Sequence, residues 1–193
     1  MLAFSRLTSF LLFVLSLSFL TCALPAPAPN SNALAIRGHS DVDLVKLVVD
    51  LEADVNAAVK VIADVDIITD LAVHVDALVV KVNTCAQAVA AIGANIDIDA
   101  SVKADLAVRI AAIITAIVHV CVSVSAKFGI LVVVSLFAKI DACLHLLLLN
   151  LGVCVQGIIA LVANIVVKLG VSVFADVRLN LCLSILGLVG ISL

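Results

Sequence analysis

Along most of the chain, single polar residues recur at helical steps against a background of Val, Ile, Leu and Ala. In DVDLVKLVVDLEADVNAAVKVIADVDIITDLAVHVDALVVKVNTCAQAV the polar positions are Asp43, Lys46, Asp50, Asp54, Lys60, Asp64, Asp70, His74, Lys81, Thr84 and Gln87, mostly three, four or six to seven residues apart. That spacing is a polar stripe on an α-helix, with Ser40 or Asp41 as N-cap. It predicts one long helix, or two joined end to end, stopping near Gly93-Ala94-Asn95. Short alternations such as DVDII and AVHVD would suit a strand, but the longer period dominates.

The same habit continues more faintly. From Asp97 or Asp99 as cap, Ser101, Asp105, Arg109, Ala112, Thr115, His119 and Ser123 lie along one side, and Ser135, Lys139 and Ala142 follow in the next segment. Asn150-Leu151-Gly152 reads as a helix stop. Beyond it Gly152, Gln156, Ala160, Asn164 and Lys168 fall at i+4 steps, and Ser172, Asp176, Asn180, Ser184 and Gly187 extend the pattern. The polar side is one residue wide and the apolar face covers most of the circumference. Val and Ile weaken helix propensity, and VHVCVSVSA in particular is compatible with a strand. The fold class expected is all-α: about five amphipathic helices with wide apolar faces in one domain over 40–193, an acidic part at 40–92 and a hydrophobic part at 97–193.

The N-terminus follows other rules. Arg6 supplies a short basic start, LTSFLLFVLSLSFL an apolar run, and Thr21-Cys22-Ala23 small residues for cleavage after Ala23. Residues 1–23 therefore read as a secretory signal peptide. The apolar run is shorter than the ~20 residues a span needs, which disfavours an uncleaved anchor. LPAPAPNSN opens a Pro/Ala-rich linker over 24–39, so the ordered chain is expected to begin near Ser40. Loss of Cys22 leaves Cys85, Cys121, Cys143, Cys154 and Cys182. In an oxidising compartment these suggest two disulfides and one leftover thiol, of undetermined pairing. The alternative is that they are small buried hydrophobes, since most lie in strongly apolar surroundings.

Composition sharpens the picture. The chain is 65% hydrophobic and 13% charged, with no Trp or Tyr and a mean hydropathy of +1.36, against about 25% charged residues in an ordinary soluble domain. Charge is segregated: residues 38–109 hold 12 acidic and 5 basic side chains, and residues 110–193 hold 2 and 4. No basic cluster marks a nucleic-acid partner. Only one uncharged run, 142–167, clearly exceeds the ~20 residues of a membrane span, and the stop at Asn150–Gly152 divides it. Yet helices with such wide apolar faces have more hydrophobic area than one small bundle hides. The expectation is a protein that completes its burial in copies of itself, in lipid or at an interface.

Catalytic signatures are absent from the sequence. There is no GxSxG, HExxH, P-loop or dinucleotide fingerprint. His119/Cys121 and Cys143/His145 resemble ligand pairs, but i and i+2 diverge on a helix. His39 and His74 read as solvated, and Asp97-Ile-Asp99 as a cap rather than a calcium loop. Neither enzyme activity nor a metal or cofactor is expected.

The organisation as a whole carries a resemblance: a signal peptide, an APAP leader ending in ALAIR, an acidic amphipathic half, and a hydrophobic half ending in NLCLSILGL. It resembles the small secreted, non-hydrophobin wall and matrix proteins of aerial hyphae in filamentous basidiomycetes. Hydrophobins themselves require adjacent cysteine doublets, which this chain lacks. The resemblance implies a structural protein in a fungal wall or matrix, concerned with aerial growth or attachment, and carries over no site residues. Its expected partners are copies of itself and hydrophobic surfaces, wall material or lipid. Two other readings remain open, a small multi-span membrane protein and an extracellular lipid-binding bundle.

Overall fold

Leu44, Val48, Leu51, Val55 and Ile62 fall between the polar positions of the first segment at helical spacing, and all five are buried. The same division of each segment into a core face and a polar row produces the architecture. The computed structural model describes residues 33–169, 174, 176, 177 and 179–188. The signal peptide expected over 1–23 and residues 24–32 of the linker lie outside the described residues. The chain divides into Met1–Leu34 and Ala35–Leu193, and the helical bundle belongs to the second unit.

The elements are α1 (Ala33–Asp64), α2 (Ile68–Ile92), α3 (Ala100–Phe128), α4 (Ile130–Cys154), α5 (Ile158–Val166), a 3-10 turn (Val167–Leu169) and α6 (Asn180–Ile185). No strand occurs among the described residues, so the all-α expectation holds and VHVCVSVSA is helical. The first helix begins at Ala33, inside the stretch expected to be linker, and not at a Ser40 or Asp41 cap.

The long first segment is two helices folded back on each other. At Val65–Ile67 the chain leaves the helix, with Ile67 extended (φ −119°, ψ 130°). Asp64, Asp66 and the β-branched residues between and after them are poor helix interior, because Asp competes for the backbone and β-branching restricts χ1. An ion pair from Lys127 to Asp66 fastens this turn. Lys81 Nζ reaches Asp54 Oδ1 at 2.6 Å, which places α2 antiparallel along α1.

Two further cross-links set the directions of the rest. Glu52 meets Arg109 at 2.8 Å and Asp76 meets Lys139 at 2.6 Å. Further along the α2–α4 contact, Asn150 Nδ2 donates to the Ala86 carbonyl at 2.8 Å, so α2 and α4 run parallel. α3 lies parallel to α1 and turns back into α4 at Gly129, whose φ of +85° suits only glycine. Around the bundle the order is thus α1, α2, α4, α3. The connection from Gly93 to Asp99 crosses its end, where the amides of Asn95 and Ile96 bind the Val153 and Cys154 carbonyls at 3.0 and 2.8 Å. These last carbonyls of α4 would otherwise lack partners. α5 packs chiefly on α3, and α6 on α4.

The helix stop expected at Asn150–Gly152 moves. α4 continues to Cys154 and the break comes at Val155–Gly157, with Gly157 left-handed at φ +80°. Asn150 is engaged with α2, so it does not terminate the helix. Gly152 makes room for α5: a Cβ there would lie 3.0 Å from Ile159 Cγ1.

Candidate functional site

The polar rows read from the sequence point outward. Asp43, Lys46, Asp50, Asp54, Lys60, Asp64, Asp70, Lys81, Ser101, Asp105, His119, Ser135, Lys139, Gln156, Asn164 and Lys168 are all exposed, and His74, Arg109 and Thr115 are half-buried. The interior is one continuous cluster of Leu, Val, Ile, Ala, Cys and Phe, with Phe137 and Phe174 the largest fully buried side chains. The surface ion pairs fix register between helices more than they stabilise, since exposed pairs contribute about 0–1 kcal/mol.

Filling this core does not remove all the large apolar side chains from the outside. Val42, Val61, Val73, Val80, Val108, Leu131, Val132, Leu149 and Val153 are exposed. The described grooves run between helices at the surface. One lies between Val59, Lys60, Ala63 and Ala116, His119, Ser123, and another between Ala57, Val61 and His74, Ala77, Lys81. Both are shallow, bordered by a lysine and a histidine, and hold no constellation for acid–base or nucleophilic chemistry.

Three helices, Ile68–Ile92, Ala100–Phe128 and Ile130–Cys154, are long and apolar enough to cross a membrane. Apart from Asp141, however, their charges do not face inward. Asp76 and Lys81 lie near the middle of α2 and Lys139 near the middle of α4, all exposed.

Cys85, Cys121, Cys143, Cys154 and Cys182 are all buried and carry free thiols in the structure. Burial pushes the Cys85 thiol up to about 11 and those of Cys121 and Cys143 up to about 12. Burial also raises Cys154, and it raises Cys182 further together with the neighbouring Asp141. Such thiols are inert, because the thiolate is the reactive form. The suspected ligand pairs are separated as helical geometry requires: His119 is exposed while Cys121 is buried, and His145 is half-buried while Cys143 is buried. Among the described residues, no three His, Cys, Asp or Glu side chains converge on a possible metal position.

The one buried charged side chain among the described residues was legible in the sequence only as an interruption of hydropathy. Asp141 is 4% exposed. Its Oδ2 accepts the Leu181 amide at 2.8 Å and its Oδ1 the Cys182 amide at 2.9 Å. These are the second and third residues of α6, whose own N-cap position is Leu179, with no capping side chain. Asp141 therefore caps α6 from a helix forty residues upstream, a tertiary version of the usual local bond. The signal available in the sequence is its register: Asp141 lies off the polar row Ser135, Lys139, Ala142 and so falls on the buried face.

Fold and surface together define an all-helical bundle whose interior, among the described residues, is apolar except for Asp141, and whose exterior is partly apolar. No protein-family model matches this chain, and no curated protein is similar to it.

Proposed function

We propose that this chain is a secreted structural protein that self-associates and adsorbs at hydrophobic interfaces, in a fungal wall or extracellular matrix where it serves aerial growth or attachment. The observation that carries this reading is the exposure of large Val and Leu side chains around a core already filled. Apolar surface withdrawn from water stabilises by about 25 cal/mol per Å², so a few hundred Å² transferred to an interface amounts to several kcal/mol. The acidic excess of residues 38–109 keeps the molecule dispersed until it meets such a surface.

The membrane reading has one observation in its favour, the three long apolar helices. Set against it, a charged side chain facing lipid at mid-bilayer costs about 2.5–3.5 kcal/mol, and Asp76, Lys81 and Lys139 would occupy that position. The deciding experiment uses the mature chain. Pendant-drop tensiometry should show surface tension falling at micromolar protein, and the protein should be recovered from culture medium or wall extracts. A carbonate-resistant membrane pellet would favour the spanning alternative. A strictly monomeric protein that left surface tension unchanged would end the surface-active reading.

A further inference from the structure

Of the four long helices, α1, α2 and α3 each carry several charged residues along their outer sides, whereas the outer side of α4 carries one, Lys139. From Leu131 to Val153 seven exposed positions of α4 (131, 135, 138, 142, 146, 149 and 153) follow steps of three and four and form one straight seam, with exposed Val132 and Lys139 beside it. Its large members are Leu131, Leu146, Leu149 and Val153, with Leu131 82% exposed. Its small members, Ser135, Ala138 and Ala142, are exposed and cluster in the middle. At 1.5 Å per residue the seam is about 33 Å long.

We propose that this face of α4 is the self-association surface, and that its occupant is the α4 of a second copy of this chain, packed antiparallel about a two-fold level with Ile140. The proposal rests on the self-association reading and names the surface that reading needs.

Between Leu131 and Leu149 that register matches the large ends and the small centre of the seam, and the antiparallel direction opposes the two helix dipoles favourably. Antiparallel pairing about residue 140 sets Leu131 of each copy against Leu149 of the other, and Ala138 against Ala142. Large residues then meet at both ends, while small residues at the centre allow the helices to approach closely. In an isologous interface every contact is made twice, so a short seam yields a closed dimer instead of an open chain. The overlap from Leu131 to Leu149, about 27 Å long, buries with its flanking residues on the order of 1,000 Å² in total, at the lower bound of a specific interface.

Charge agrees with the arrangement. Lys139 borders the seam on the α2 side, held by Asp76 at 2.6 Å. The two-fold brings both Lys139–Asp76 pairs onto the same flank near the axis. There they make a neutral cluster of alternating sign, so no charge is buried without a partner. Leu181, exposed and held beside α4 by its amide bond to Asp141, widens the seam on the other flank.

The test is sedimentation of the mature chain, with cross-linking. Wild-type protein should sediment as a dimer, and Leu131→Asp/Leu149→Asp as a monomer of unchanged helical circular dichroism. Asp76→Asn, at an exposed position outside the seam, leaves two lysines unneutralised at the axis and should weaken the dimer about tenfold. A short bis-maleimide should join Ala138→Cys of one copy to Ala142→Cys of another, while Leu131→Cys alone should give no cross-linked homodimer. The five native cysteines are buried and do not compete. A monomeric wild-type chain, a dimer indifferent to Leu131→Asp/Leu149→Asp, or a cross-linked homodimer of the Leu131→Cys variant would overturn the inference. A monomer that still lowers surface tension would defeat this dimer and leave surface activity standing. A dimer of the stated register without surface activity would do the reverse.

Discussion

Removing the Asp141 carboxylate should undock α6, and the cost can be worked out from its contacts. The side chain is 4% exposed and receives two amide hydrogen bonds of 2.8 and 2.9 Å from the first turn of α6. In Asp141→Ala the Leu181 amide can turn to water, because Leu181 is exposed, but the Cys182 amide cannot, because Cys182 is fully buried. Loss of a helix cap costs about 1 kcal/mol, and a buried amide left without a partner a further ~1–3 kcal/mol. The expected total is about 3 kcal/mol. Asp141→Asn keeps one carbonyl acceptor and loses the charge opposite the helix dipole, so about 1 kcal/mol is expected. Urea unfolding followed at 222 nm measures both, and at a slope near ~2 kcal/mol/M the alanine variant should move the midpoint down by about 1.5 M. Limited proteolysis should cut the C-terminal segment first. If Asp141→Ala cost under ~0.5 kcal/mol, or no more than Asp141→Asn, the capping argument would be refuted.

Three further outcomes follow from the same structure. Gly157→Ala should cost about 1 kcal/mol through backbone strain alone, because φ is +80° and nothing lies within 4 Å of the added Cβ; a neutral result in thermal unfolding would contradict this. Stability should decline in alkali. Cys85, Cys121 and Cys143 are held protonated to about 11 or 12 when folded, so the folded state binds more protons than the unfolded state above the ordinary thiol value of 9.0. Their contribution is complete below pH 9 and disappears as pH rises to about 11–12, which denaturant titrations at pH 8 and pH 10.5 would register as a fall at the higher pH. A thiol reagent at neutral pH should find no reactive cysteine in the native protein and five after unfolding without reductant; one thiol after unfolding would instead indicate two disulfides.

Much of the fold was legible because the helical period survives in a sequence with few polar residues. The expected positions along α1–α5 that carry a charge are exposed, Arg109 being half-buried, and the helix ending near Gly93 ends there. The errors share a cause, which is that a local signal was outweighed by a tertiary contact. Asn150 and Gly152 look like a stop, yet Asn150 bonds to the Ala86 carbonyl and Gly152 accommodates Ile159, so the helix runs on to Cys154. The first segment, expected as one long helix or two joined end to end, is two helices, and what the local pattern did not show is that they fold back at Val65–Ile67, where α2 gains α1 as an antiparallel neighbour and α4 as its closest-packed one.

The sequence by itself determined the helices, their outward rows, and the segregation of charge into the first half, because periodicity and composition are properties of each segment alone. Only the tertiary structure decided which apolar surface is hidden and which remains outside. Every helix had more apolar face than one neighbour could cover, and the choice among faces depends on packing partners distant in the chain. The same is true of Asp141: the sequence shows it only as an interruption of hydropathy, and only the docking of α6 supplies the two amides that make a buried carboxylate tolerable.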